Sequence, residues 1–357
     1  MESMDSRSWW TPPPDPPEHR LPEDLRRRDP LGARDCGWVS QMRPFVRQFS
    51  APDACVLDPF CGFGSTLLAA GLEGRRGLGL EIDAARAALA RERLQRLGLR
   101  AEVRVGALPQ LALEQPIDLC LTNVPYFGCD WPGATAPGQL YASPDYAAYL
   151  RGLRAVFHAL RRSLRDDGFC IAMVENVEIG GVCVPQAWDL ARILGSLFVP
   201  CAERVLCYPR QTAQSLSPGD THSDRSHEYA LIFQKRREPI DLAGSAHLLA
   251  ALHADGFGYA VHGSYPLWLA DPRAAPRPPG DVDLLLPRDL LQLQRLLDWL
   301  RTRGFALSLW GEPLAAPPTL ALLDAHHYLR AERRDRGGGL LRLDLSLQPA
   351  PGSLTAG

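Results

Sequence analysis

The chain has 357 residues, enough for two domains that each bury a core of their own. Its 39 basic and 41 acidic residues leave a formal charge of −2, so no global basic field draws it to nucleic acid, and any such contact is local. Nine cysteines form no Cys-x-x-Cys pair and have no histidine at metal spacing, the pattern of free thiols in a reducing cytoplasm. No apolar run approaches the roughly 20 residues of a membrane span, and the acidic, proline-rich start is not that of a signal peptide.

Residues 1–30 carry Pro12-Pro13-Pro14, Pro16-Pro17 and Arg26-Arg27-Arg28, and read as a solvated, disordered tail that cannot bury enough surface to fold alone. Asp35 to Phe49 follows as a helix with Trp38, Met42, Phe45, Val46 and Phe49 on one face. Strand-length apolar runs then appear at Cys55–Asp58, Gly77–Ile82, Ala101–Gly106, Ile117–Asn123 and Phe169–Glu175. Helical patterns at Ser65–Gly71, Ala84–Leu97 and Tyr146–Leu164 lie between them. Such alternation predicts an α/β, doubly wound, mostly parallel sheet. A long Gly/Pro loop, Phe127–Pro144, holds Trp131 and Tyr141, and the next helix carries Arg151, Arg154, Arg161, Arg162 and Arg165. A helix at Pro185–Leu197 precedes a closing antiparallel pair, Glu203–Tyr208 and Tyr229–Gln234. The loop joining that pair, Pro209–Glu228, carries Arg210, His222, Arg225 and His227. Lys235-Arg236-Arg237-Glu238-Pro239 breaks the pattern and marks a boundary, with one domain over 31–237 and a smaller α/β domain over 238–357.

Three short stretches carry the chemistry. Asp58-Pro59-Phe60-Cys61-Gly62-Phe63-Gly64-Ser65-Thr66 reads as a strand end, a glycine turn and a helix start. Gly62 and Gly64 let a ligand approach the main chain, and Ser65 or Thr66 can cap the helix. A dinucleotide fingerprint would place a third glycine where Leu67 stands. Glu81 ends the second strand at a distance suited to holding ribose hydroxyls. Asn123-Val124-Pro125-Tyr126 ends a later strand. All three fall at carboxyl ends of strands, where open α/β sheets bind their ligands.

Over residues 31–237 this set resembles the S-adenosylmethionine-dependent amino-methyltransferases of DNA, whose pattern is Asp-Pro-Phe-x-Gly-x-Gly-[Ser/Thr] followed by Asn/Asp/Ser-Pro-Pro-Tyr. The resemblance implies a seven-stranded methyltransferase sheet and a cofactor site at Asp58, Phe60, Gly62, Gly64, Ser65, Thr66 and Glu81. It also implies methylation of an exocyclic amine of adenine or cytosine. Such an amine is a poor nucleophile because its lone pair is delocalised into the ring. The Asn123 side-chain oxygen and the Val124 carbonyl can accept its two N–H bonds and free that lone pair. Pro125 holds Val124 extended, and Tyr126 offers a face on which a flipped base stacks.

The sequence departs from the family in three places. Val124 replaces a proline, as in the similar Asn-aliphatic-Pro-Tyr of ribosomal RNA adenine dimethyltransferases, so RNA stands beside DNA as a partner. Gly106-Ala107 lacks the acid that meets the cofactor's adenine, and Asp118 is a candidate substitute. No large target-recognition insert is visible.

Residues 245–348 resemble the nucleotidyltransferase superfamily. Gly263-Ser264 closes one strand, Asp281-Val282-Asp283 opens the next, and Asp344 sits in Leu343-Asp344-Leu345, with Arg277 in the gap. The resemblance implies two Mg2+ ions on Asp281, Asp283 and Asp344, and a nucleoside triphosphate near Arg277. His326-His327 invites a metal reading, but adjacent histidines face apart. A nucleotidyltransferase with a cofactor-sensing first domain is the alternative from another class.

Overall fold

Period-two alternation along each central strand sends neighbouring side chains into two different cores. In a computed structural model of the chain, described over residues 6–99, 101–129, 136–208, 215–221, 223, 226–236, 238–273, 277–326 and 328–349, Val56, Leu119 and Leu121 enter one core. Leu57 and Cys120 enter the other. The chain divides into two units, Met1–Arg236 and Arg237–Gly357. Trp131, Arg210, His222, Arg225 and His327 lie outside the described residues.

The first unit runs β1 (Trp9–Trp10), α1 (Glu23–Arg26), α2 (Val39–Phe49), β2 (Cys55–Asp58), α3 (Ser65–Leu72), β3 (Arg76–Glu81), α4 (Ala84–Arg96), β4 (Glu102–Val105) and β5 (Ile117–Asn123). It continues through α5 (Tyr146–Ser163), β6 (Leu164–Val174), β7 (Val177–Ile179), β8 (Val182–Val184), α6 (Gln186–Leu197), β9 (Val199–Cys207) and β10 (His227–Gln234). The main sheet has the order β1-β9-β10-β6-β5-β2-β3-β4. Strands β4, β3, β2, β5 and β6 are mutually parallel, while β10 runs antiparallel to both β6 and β9. Helices α2, α3 and α4 cover one face, and α5 and α6 cover the other. Strand order reverses between β2 and β5, which opens a crevice beyond their carboxyl ends.

The sheet has eight strands rather than seven, because Trp9 and Trp10 pair in parallel with Val205 and Leu206. The solvated-tail expectation for residues 1–30 is therefore corrected over the described part of that segment. The Asp15 carboxylate accepts the N–H groups of Val39 (2.9 Å) and Ser40 (2.7 Å), capping α2 from 24 residues upstream. Leu21 and Leu25 pack with Ala33, Phe63 and Leu89. Asp29, fully enclosed, pairs with Arg86 at 2.9 Å. A polar segment has too little apolar surface to fold by itself, but it can complete a core supplied by other elements.

Leu67 explains the missing third glycine. In a dinucleotide fold that glycine lets the helix lie close to its strand. Here the space is made on the strand side. A Cβ on Gly79 would stand 2.7 Å from the Leu67 side chain, and one on Gly77 would stand 3.2 Å from the Leu67 backbone.

The second unit contains α7 (Leu242–Ala254), β11 (Ala260–His262), α8 (Ser264–Ala270), β12 (Val282–Leu286), α9 (Leu290–Thr302), β13 (Ala306–Leu309), β14 (Glu312–Pro313), α10 (Leu320–His326), β15 (Leu329–Arg334) and β16 (Leu340–Leu347). Its mixed sheet has the order β11-β12-β16-β15-β13-β14, with only β12 and β16 parallel among those pairs. The sequence pattern did not mark α8, α10 or the strands β13 to β15. No described helix of either unit is long and apolar enough to cross a membrane.

Candidate active site

The crevice of the first unit is a cavity of about 930 Å3, within the range of small-molecule sites. Asp58, Phe60, Gly62, Ser65, Thr66, Glu81, Asn123, Val124, Pro125 and Tyr126 all line it. Gly64 is set back, with a built Cβ meeting Leu94 on α4 at 3.3 Å. Both glycines take left-handed angles, φ +48° at Gly62 and +76° at Gly64, which a side chain would strain.

One wall is built from the glycine turn and Glu81. The Glu81 carboxylate accepts the N–H groups of Gly62 and Asp83, each at 2.9 Å. Each oxygen keeps a further acceptor site beside the cavity. Burial pushes the Glu81 carboxyl up to about 7, against the lowering effect of those two N–H groups. Asp58 accepts the Thr122 hydroxyl at 2.6 Å and the Phe60 N–H at 3.1 Å, and burial raises it to about 6. The expected Ser65 or Thr66 cap is corrected. Gly64 is the N-cap of α3, with no side-chain bond to the helix start. Ser65 instead donates to the Gly37 carbonyl at 2.6 Å, and Thr66 bonds to Asp58. The N-terminus of α3 is thus left open toward the cavity, where backbone N–H groups and the helix dipole favour an anionic group.

Asn123 to Tyr126 form a second part of the wall. Among the described residues, the Asn123 side chain has no hydrogen-bond partner. The turn itself is held on both sides. Val124 N–H donates to the Met173 carbonyl at 3.1 Å, the Pro125 carbonyl accepts the Tyr149 hydroxyl at 2.7 Å, and Phe127 N–H donates to Gln186 at 2.9 Å. Burial raises the Tyr126 hydroxyl well above its ordinary value, so the ring stays neutral.

Several lining residues were invisible in the pattern. Asp35 to Trp38, expected at the start of the helix, instead precede α2 with Arg34 as an irregular segment along the cavity. A Cβ at Gly37 would lie 3.7 Å from the Asn123 amide nitrogen. Arg86 holds this segment in place, reaching Asp35 at 2.7 Å as well as Asp29. The loop over 136–144 supplies more of the wall. Asp118 does not substitute for the missing acid. It sits near the start of β5, at the opposite end of the strand from the cavity, accepting Cys55 N–H at 2.7 Å and facing Arg165 at 3.2 Å. Ala107 to Gln110 line the cavity after β4, and Gln110 is the polar side chain there. On α5, Arg154 and Arg161 are bonded to Ser196 and the Leu197 carbonyl, so they tie two helices together.

Residues 39–92 match the family model described as DNA methylase. That stretch runs from α2 through the glycine turn and Glu81 into α4, and ends before Asn123. The methylase YubD of Escherichia coli (strain K12) is 48% identical over 44 residues, covering 12% of this chain and 19% of that protein. The tRNA (guanine(10)-N2)-dimethyltransferase of Methanothermobacter thermautotrophicus is 40% identical over 72 residues, 20% of this chain and 21% of that protein. The chain thus spans about a fifth of the length of these curated relatives. The crystal structure of TrmN from Thermus thermophilus aligns with 55% of this chain and 48% of its own, at 18% identity and a TM-score of 0.39.

In the second unit, β12 and β16 bring Asp283 and Asp344 side by side as register partners, with His262 opposite Asp283 on β11. A Cβ at Gly263 would collide with the Asp283 carboxylate, and its φ is +74°. The turn at Gly263-Ser264 is therefore tight against the acids. Arg330 on β15 donates to both Asp344 oxygens at 2.8 and 2.7 Å, and reaches Asp281 at 3.4 Å. Burial, then Asp281 and Asp344, raise the Asp283 carboxyl to about 6. The Mg2+ expectation is corrected on this point. The Asp344 carboxylate is bonded to a guanidinium, and no group of three acids, histidines or cysteines suited to a metal occurs among the described residues. Arg277 lies in the loop before β12.

Proposed function

We propose that the first unit is an S-adenosylmethionine-dependent methyltransferase acting on an exocyclic amine of a nucleobase. The observation that carries this reading is that Glu81, the start of α3 and the unpartnered Asn123 amide all line one cavity. Glu81 accepts the ribose hydroxyls, and the α3 N-terminus receives the cofactor's carboxylate. When bound, the cofactor supplies a methyl group already activated on a sulfonium. The Asn123 oxygen and the Val124 carbonyl accept the amine's two N–H bonds, which releases its lone pair for attack on the methyl carbon. Tyr126 holds the base by stacking. DNA is the first substrate reading, with adenine or cytosine as the base, and the DNA methylase match supports it. RNA is the second, supported by Val124 in place of proline and by the tRNA-modifying relative.

For residues 238–349 we infer a nucleotidyltransferase-like module, supported by the Gly263-Ser264 turn pressed against Asp283 and by the paired acids on one sheet face. Arg330, bonded to Asp344, sets it apart from a metal-loaded site.

The decisive experiment for the first unit combines calorimetry with S-adenosylmethionine and mass spectrometry of nucleosides from DNA and RNA incubated with labelled cofactor. Binding with label on a base amine is expected. Preference for NAD, or label on a ring carbon, overturns the reading.

A further inference from the structure

Beyond Asn123, the cavity wall backs onto a buried polar cluster drawn from three parts of the chain, α2, the segment after β9 and the start of β10. Gln41 on α2 is 3% exposed and lines the cavity. Its Nε2 donates to Glu228 at the start of β10, and the Tyr208 hydroxyl after β9 donates to the same carboxylate oxygen. Trp38 packs edge-on to Tyr208 at 5.6 Å, and both line the cavity. Trp38 follows Gly37, whose Cβ would lie 3.7 Å from the Asn123 amide nitrogen, which places the cluster on the Asn123 side. Burial, then Glu228, Glu175 and Tyr208, raise the Tyr126 hydroxyl.

A carboxylate only accepts, so the Gln41 amide must turn its N–H group toward Glu228. That leaves Oε1 as the free end, with no hydrogen-bond partner among the described residues. We propose that Gln41, oriented by Glu228, reads the ring nitrogen beside the target amine and selects a base that carries a proton there. Guanine has such a proton at N1, next to its N2 amine. Adenine N1 and cytosine N3 are acceptors and would face another acceptor. A site built to bond a donor rejects analogues that lack it, because a buried polar group is left unpaired. The inference rests on the amine-methylation reading above, takes its RNA branch, and puts guanine N2 in place of the adenine or cytosine amine.

Glu228 is the positioning residue. Burial raises its carboxyl to about 7, Glu175 adds to the rise, and the Tyr208 and Gln41 bonds oppose it. Below that pH the protonated acid donates, the Gln41 amide is free to turn over, and its N–H group meets adenine N1 or cytosine N3 instead.

The test uses the full chain with labelled cofactor and two probes, total bacterial RNA and genomic DNA, read by nucleoside mass spectrometry. Methyl label on guanine N2 is expected. Gln41→Met should lower kcat/KM on guanine by tenfold or more, with unchanged cofactor affinity. Glu228→Gln should abolish the limb of the pH profile near 7 and relax base choice, which a merely structural role would not do. Cofactor binding with label on adenine or cytosine alone, or with no labelled nucleoside, overturns this inference. So does an unaffected Gln41 variant. Failure to bind cofactor at all would instead overturn the methyltransferase reading, and this inference with it.

Discussion

The carboxylates at the two units' candidate sites are balanced differently. In the first, Asp58, Glu81 and Glu228 are held by N–H and O–H donors, and burial raises each above the ordinary carboxyl range. In the second, Asp344 is locked to the Arg330 guanidinium, which also reaches Asp281. Acids kept among neutral donors retain acceptor capacity for a ligand's hydroxyl or amine groups. Acids balanced by an internal cation have that capacity already used.

The largest effect should come from breaking the second arrangement. Arg330→Ala leaves Asp344 enclosed and uncompensated beside Asp283, a loss of about 3–5 kcal/mol. Denaturant unfolding of the full chain should show it as an early transition. An unmoved midpoint would mean that the acids are balanced some other way.

Next in size is Asn123→Ala. It removes an acceptor needed chiefly in the transition state, so turnover should fall by about 10²–10³ while S-adenosylmethionine affinity holds. Undiminished turnover would exclude the proposed role.

Glu81→Ala should weaken cofactor binding by about 1–3 kcal/mol, read by calorimetry. A variant that binds as tightly as the parent would move the ribose elsewhere in the cavity.

The smallest and most specific effect is on pH. Folded-state values of about 6 for Asp58 and about 7 for Glu81 and Glu228 lie above their unfolded values. The folded chain therefore binds more protons than the unfolded chain in that interval. These groups' contribution to stability is complete below about pH 4 and is lost as pH rises through 6 to 7. Cofactor binding should run the other way, because ribose hydroxyls donate to ionised Glu81. Affinity should rise by at most about tenfold per pH unit up to about 7, then level off. Melting curves with and without cofactor from pH 5 to 8 test both signs. Affinity that stays flat would detach Glu81 from the ligand.

By itself the sequence determined the alternation of strands and helices, the glycine turn, and the placing of Asp58, Glu81 and Asn123 at strand ends. Those features are local. A left-handed turn needs glycine, a buried parallel strand needs an apolar run, and a crossover needs a helix of sufficient length. Tertiary structure decided the rest. Asp15 caps a helix it does not adjoin, Trp9 and Trp10 add a strand beside residues almost 200 positions away, and residues 34–38 become cavity wall. Gln41 and Glu228 are 187 positions apart, and neither lies in a motif. Arg330 sits on a strand the pattern did not mark, yet it sets the charge balance of the second unit's acids. A polar side chain in a segment without periodicity gives no local sign of its partner. Its partner is fixed only when sheet order brings distant strands together, because hydrogen bonds and ion pairs act over a few ångströms of space and not along the chain.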